Sequence, residues 1–315
     1  MHTHHSHSGD YVSHATDSLD ATVALYYSKG FKIVCLTEHM PRLHDQFLYP
    51  EELEKHYTTD NLVSDFQAFT NHAKRLQQEY KDKMKIIIGF EVEGIDIPHI
   101  EYSQELIAKN NEIQMMVGSV HFVHQIPIDF TVELWKEARS KSRTTRGLYC
   151  DYFDLQYRVI TSLKPMVVGH FDLIRLLQPE DDFDSTTGKL TRDVNVEIDW
   201  PEVWERIVRN IKVVYEYGGL FELNSSAIRK GWDTPYPRRD IAEAIIKYGG
   251  GRFCLSDDSH ALTQVGLNYH KVLEYLKSLN VDEIYHLDLD DDNELKVRTE
   301  DINILERSTF WDQYK

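Results

Sequence analysis

Apolar and polar positions along the chain fall into two alternating patterns. Phe31-Lys32-Ile33-Val34-Cys35-Leu36 is a compact β-favouring run after Gly30. Met84 to Phe90, Met115 to Val120, Pro165 to Gly169, Gly219 to Leu223 and Arg252 to Leu255 are runs of the same kind. Short runs that are nearly all apolar predict strands buried on both faces. Between them lie stretches with apolar residues at helical spacing. In Asp17 to Lys29, Asp17 or Ser18 can cap the start, Leu19, Val23 and Tyr26 or Tyr27 share a face, and Gly30 can end the helix. Asp60 to Tyr80, His99 to Asn110, a mostly helical stretch to Leu163, Trp200 to Tyr217, Arg238 to Tyr248 and His270 to Leu279 complete the set. Glu283 to Leu287 reads as one more strand, and the acidic run Asp288 to Asp292 as a solvated loop.

Strands and helices in strict alternation predict an α/β fold with parallel strands covered by helices, and a chain of 315 residues suits a single-domain barrel. No internal repeat, Pro-rich linker or low-complexity segment divides it, so residues 1–315 are expected to form one domain.

Barrels of this type carry their chemistry at the carboxyl ends of the strands. Here the strands run into Thr37-Glu38-His39, Glu91-Val92-Glu93, His121, His170 and Asp257-Asp258-Ser259-His260. A lone histidine beside an apolar strand is usually satisfied by one hydrogen bond. Repetition at successive strand ends points instead to a shared site. The start of the chain adds His2, His4, His5, His7 and His14 before any helix can begin. Imidazoles spaced i, i+2 on extended backbone point to one side, which suits metal ligation. Histidines and carboxylates without thiolates suit Zn, Mn or Fe, and their number exceeds what one tetrahedral ion needs, so more than one metal is expected. Clustered divalent ions suit phosphoester hydrolysis.

Charge and composition narrow the partners. A formal net charge of -17 and no basic stripe argue against general affinity for nucleic acid. Cys35, Cys150 and Cys254 are widely separated, so neither a disulfide framework nor a thiolate zinc site is indicated. With no apolar run of membrane-spanning length and a polar N-terminus, a soluble, cytoplasmic protein without membrane contact is expected.

His5-Ser6-His7 with His14, Thr37-Glu38-His39, Gly89-Phe90-Glu91, Gly118-Ser119-Val120-His121, Gly169-His170-Phe171-Asp172 and Asp258-Ser259-His260 occur in this order over almost the whole chain. The ordered set resembles the signature of the polymerase-and-histidinol-phosphatase (PHP) superfamily. Cys35 to Arg42, Glu222 to Lys230 and Leu255 to His260 more closely resemble its fungal-type histidinol-phosphatases. The resemblance implies a distorted (βα)7 TIM-like barrel with a trinuclear site. One metal would be held by His5, His7, Glu91 and Asp258, a second by bridging Glu91 with His121 and His170, and a third by His14, His39 and His260. It further implies hydrolysis of L-histidinol phosphate in L-histidine biosynthesis, a metal-bridged hydroxide attacking phosphorus in line.

Alternatives stay open at several positions. His2/His4 competes with His5/His7 as the first ligand pair, and in that register Asp10 would replace His14. Glu93 competes with Glu91, and Asp257 with Asp258, the other member of each pair orienting a ligand or water. Arg229 and Arg175 lie beyond strand ends and are candidate clamps for the phosphate, or surface ion-pair partners. Glu38, His39 and Asp258 are the candidate catalytic groups, with Glu38 either a general acid or a hydrogen-bond acceptor behind a ligand. Glu93 and Asp96 are candidates for holding a substrate cation. The rival functions are a PHP phosphoesterase acting on nucleotides or DNA ends and a catalytically dead barrel serving as an interaction module.

Overall fold

A computed structural model describes residues 1–315. Seven parallel strands form one curved sheet: β1 (His2–Thr3), β2 (Ile33–Leu36), β3 (Lys85–Val92), β4 (Met115–Gly118), β5 (Val167–Val168), β6 (Leu220–Asn224) and β7 (Phe253–Ser256), paired in that order. The first and last strands approach each other, with His4 N donating to Leu255 O at 3.1 Å and Asp258 N to His5 O at 3.1 Å. The result is a nearly closed seven-stranded barrel, as the alternation and the resemblance imply.

Burial explains why the strands read as continuous apolar runs. Ile33, Cys35, Ile87, Met115, Val117, Val167, Leu220 and Cys254 fill a core inside the barrel. Alternate residues such as Val34, Ile86, Ile88 and Phe221 join a larger core under the surrounding helices. These helices are α1 (Leu19–Ser28), α2 (Thr59–Tyr80), α3 (Ile97–Lys109), α4 (Val132–Ser142), α5 (Thr145–Leu163), α6 (Pro201–Tyr217), α7 (Arg239–Gly249) and α8 (Tyr269–Ser278). Ser18 caps α1 by accepting from Ala21 N, and Gly218, at φ 82°, ends α6 in the left-handed conformation that glycine adopts freely. None of them is long and apolar enough to cross a membrane.

The C-terminal segment departs from the alternation. Glu283–Leu289 (β8) does not join the barrel but pairs antiparallel with Leu295–Asp301 (β9), so the acidic run is the end of a strand and the turn of a hairpin. Leu287 and Leu289 insert into the inner core and close the floor of the barrel. The sequence hides this pairing because β9, Leu-Lys-Val-Arg-Thr-Glu-Asp, buries none of its residues fully. Only one face packs, and the other stays polar.

Candidate metal centre and substrate cavity

The parallel strands point their carboxyl ends to one side of the barrel, opposite the hairpin, and the segments leaving them bring the ligand-type residues together. Glu91, in β3, lies at the centre and is almost wholly buried. Its Oε2 is 3.1 Å from His5 Nε2, 3.4 Å from His7 Nε2 and 3.2 Å from His39 Nδ1. Its Oε1 is 2.9 Å from His170 Nε2 and 3.3 Å from His121 Nε2. Asp258 Oδ1 approaches His7 Nε2 at 3.5 Å and His5 Nε2 at 3.8 Å. Asp258 itself holds a left-handed backbone, φ 48°, uncommon for a residue with a side chain and a form of strain that collects at functional sites. At the outer edge His260 Nε2 lies 3.1 Å from His14 Nε2.

The structure therefore gathers every ligand candidate of the resemblance into one cluster, with overlapping groups rather than three separate ones. His5, His7 and Asp258 converge, as do His5, Glu91 and His170; His39 converges both with His7 and His260 and with Glu93 and His121. His2 and His4 lie on the other side of the backbone. His2 Nε2 accepts from Leu255 N, His4 Nδ1 donates to Leu255 O, and His4 Nε2 accepts from Leu287 N, so this pair fastens the barrel floor. Asp10 is occupied with Leu19 N at 2.8 Å. Asp257 faces away from the cluster, accepting from Tyr26 Oη at 2.7 Å and Gly266 N at 2.6 Å.

The donor set fits divalent metal ions. His5 Nε2, His7 Nε2 and His39 Nδ1 are buried without a hydrogen-bond partner, a costly state unless something else satisfies them. The electrostatics agree. Burial opposes charge on Glu91, yet His5, His121 and His39 hold its carboxyl well below the usual carboxylate range. Burial likewise opposes protonation of His7, but Glu38 and Glu91 raise it to about 9. Carboxylates so arranged demand positive charge between them, which protons or cations must provide.

A second ring of carboxylates holds the imidazoles. Glu222 accepts from His5 Nδ1 at 3.1 Å and from Ser256 Oγ at 2.6 Å. Glu93 lies 3.3 Å from both His39 Nδ1 and His121 Nδ1, and is neutralised by the buried Arg42 at 2.6 Å and bonded by Tyr49 Oη at 2.8 Å. Glu38 accepts from Ser8 Oγ at 2.6 Å and sits 3.6 Å from His7 Nδ1. It does not line this cavity, and of its two readings the geometry is that of an acceptor behind His7.

The cluster opens into a cavity of about 360 Å³, lined also by Tyr49, Asp129, Phe130, Leu173, Arg229, Lys230 and Gln264. Arg229 is fixed at its edge by donating to Asp258 O at 3.3 Å. Arg175, the other candidate clamp, is absent from these walls. Its nearly buried guanidinium makes a bidentate pair with Asp240 at 2.8 and 2.7 Å, since a desolvated cation needs a counter-charge nearby. Asp96 caps α3 through His99 N and accepts from Gln125, and does not reach the cavity.

Glu222 and Lys230 bound one of the stretches that carry the resemblance, but neither they nor Asp129 received a role from sequence. Glu222 left a further signal, a carboxylate inside an otherwise apolar strand; Lys230 left only its place in that stretch, and Asp129 none beyond charge.

Comparison with known proteins gives an independent line. The PHP domain family matches residues 3–226. The chain is 38% identical over 332 aligned positions to a histidinol-phosphatase of Saccharomyces cerevisiae, covering 99% of each. It is 41% identical over 278 positions to a probable histidinol-phosphatase of Schizosaccharomyces pombe, covering 88% of this chain and 86% of that one. In structure it resembles a putative histidinol phosphatase from Listeria monocytogenes, with TM-score 0.69 and 20% identity over 86% of this chain and 99% of that one. It also resembles a histidinol phosphate phosphatase from Lactococcus lactis, solved with zinc, L-histidinol and phosphate, with TM-score 0.61 and 17% identity over 94% and 98%. At these identities the two structures speak to the fold.

Proposed function

The chain belongs to the PHP family and to its histidinol-phosphatases, and on that premise we propose that it hydrolyses L-histidinol phosphate to L-histidinol and phosphate at the cluster centred on Glu91. Its setting would be L-histidine biosynthesis in the cytoplasm, with residues 1–315 acting as one barrel domain. The observation that carries the proposal is the convergence of unpartnered, buried imidazole nitrogens on a carboxylate at the floor of a cavity that also presents two cations.

We assign His5, His7, His14, His39, Glu91, His121, His170, Asp258 and His260 as ligands of three divalent ions of the Zn, Mn or Fe class. Such ions, when bound, supply a water of lowered pKa and positive charge against the phosphoryl oxygens. The protein's own contribution is positional. Glu222, Glu38 and Glu93 fix ring orientation, and a proton held on His5 Nδ1 by Glu222 leaves Nε2 as the ligating atom. Arg229 and Lys230, both on the cavity wall, would meet phosphate oxygens not taken by the ions, the arginine as a fixed fork and the lysine as a point charge. His39 and Asp258, also on the cavity wall, would face the reacting groups of a bound ester. The walls give the site a small-molecule scale.

Phosphate release from L-histidinol phosphate, a nucleoside monophosphate and a short 3′-phosphorylated DNA, measured on protein of counted metal content, tests the proposal. Preference for histidinol phosphate with about three metals per chain is the expected result. Preference for a nucleic-acid substrate would overturn it, and so would a fully metallated protein that turns over nothing.

A further inference from the structure

Among the carboxylates lining the cavity, Glu91 and Asp258 lie within hydrogen-bonding or ion-pairing distance of histidines, and Asp129 is the remaining one. Asp129 is half-buried on the loop that follows the short hairpin of Phe122–Val123 and Ile126–Pro127. No side chain pairs with it. Its neighbour Phe130 stays partly exposed and lies nearly parallel to the Tyr49 ring, centroids 6.4 Å apart at 7°. Tyr49 in turn stands edge-on to His14 at 5.5 Å, so this aromatic wall begins at the rim of the cluster. The two basic residues, Arg229 and Lys230, come from the segment after β6, whereas Asp129 and Phe130 come from the segment after β4. The cavity is therefore polarised, with cations on one wall and a free carboxylate beside an apolar ring on another.

A half-buried carboxylate facing a cavity without a partner is a poor arrangement for the free protein and a good one for a cationic ligand group. The two carboxylates considered from sequence for this task are both engaged, Glu93 by Arg42 and Tyr49 and Asp96 by His99 and Gln125. We propose that Asp129 is the specificity residue of this site, accepting a hydrogen bond from the ammonium group of an amino-alcohol phosphate while the phosphate lies against the metal cluster, Arg229 and Lys230. This rests on the function proposed above and adds which substrate group is read and by which residue. A phosphate monoester lacking the amine would leave Asp129 desolvated and unpaired, the situation that gives polar sites their largest discrimination.

The test compares L-histidinol phosphate with 3-(imidazol-4-yl)propyl phosphate, the same ester without the amine, on the metallated enzyme and on Asp129→Asn. The native enzyme should prefer the amine-bearing ester by roughly tenfold to a hundredfold in kcat/KM, the scale of one hydrogen bond to a charged group. Asp129→Asn should lose most of that preference, chiefly through a raised KM for the amine-bearing ester, with unchanged metal content. Equal losses on both esters, or an intact preference, would overturn the assignment of Asp129 alone. Release of phosphate from neither ester by the native enzyme would overturn the functional proposal and this one together. A check needing no variant is inhibition of the native enzyme by L-histidinol and by 3-(imidazol-4-yl)propan-1-ol. Tighter binding of the amine is expected, and equal binding of the two counts against Asp129.

Discussion

His5 and Glu222 form a buried pair: His5 Nδ1 donates to Glu222 Oε2 at 3.1 Å, and both side chains are excluded from solvent. The bond leaves the His5 Nε2 lone pair facing Glu91, so a residue on β6 sets which nitrogen of a histidine near the start of the chain faces the cluster. Glu222→Gln should keep the fold and lower metal affinity by about 10–100-fold. Metal titration against a competing chelator reads this directly. Native affinity in the variant would remove Glu222 from the site.

Glu91 lies within 3.4 Å of five histidines of the cluster, so its loss should be felt by metal and activity at once. Glu91→Gln is expected to lower bound metal and phosphate release together, in elemental analysis and steady-state assays on one preparation. Loss of activity at full metal content would instead mean that Glu91 acts on the substrate.

Arg229 stands at the cavity wall without ligating, and its effect should be separable from the metals. Arg229→Ala should raise KM by about tenfold while leaving metal content near native. Parallel loss of both would assign it a structural role.

Arg175 and Asp240 should act on stability. Burial would raise the Asp240 carboxyl, but Arg175 holds it below its ordinary value. A depressed carboxyl contributes stability above its unfolded pKa and loses it as pH falls through the folded value. Asp240→Asn is expected to cost on the order of 1–2 kcal/mol near neutrality, less than a fully buried pair because Asp240 is part-exposed. Thermal melts of native and variant should differ at pH 7 and converge in acid. A constant gap across pH would mean that packing, not charge, is responsible.

Leu287 reports on the floor of the barrel, far from the chemistry. It is fully buried in the inner core, so Leu287→Ala should destabilise by about 2–4 kcal/mol while kcat of the folded fraction stays near native. Denaturant unfolding measures the first and an active-site-normalised assay the second. A fall in kcat without loss of stability would contradict the capping role of the hairpin.

The sequence by itself determined the barrel and the position of its chemistry. Strands buried on both faces must be apolar throughout, as Ile86-Ile87-Ile88 and Val167-Val168 are, and strand–helix alternation forces parallel pairing, so ligand-type residues after each strand share one end. That His5 and His7 rather than His2 and His4 face the cluster belonged to tertiary structure, because it depends on where β1 meets Leu255 and the hairpin. So did Arg175 pairing with Asp240, Glu38 standing behind His7, and Glu222 standing behind His5. Asp129 was decided there too, since an unpaired carboxylate is defined by everything that fails to approach it. Periodicity is local and survives in the sequence, whereas each of these pairings joins segments far apart in the chain, and no local pattern encodes which charge meets which.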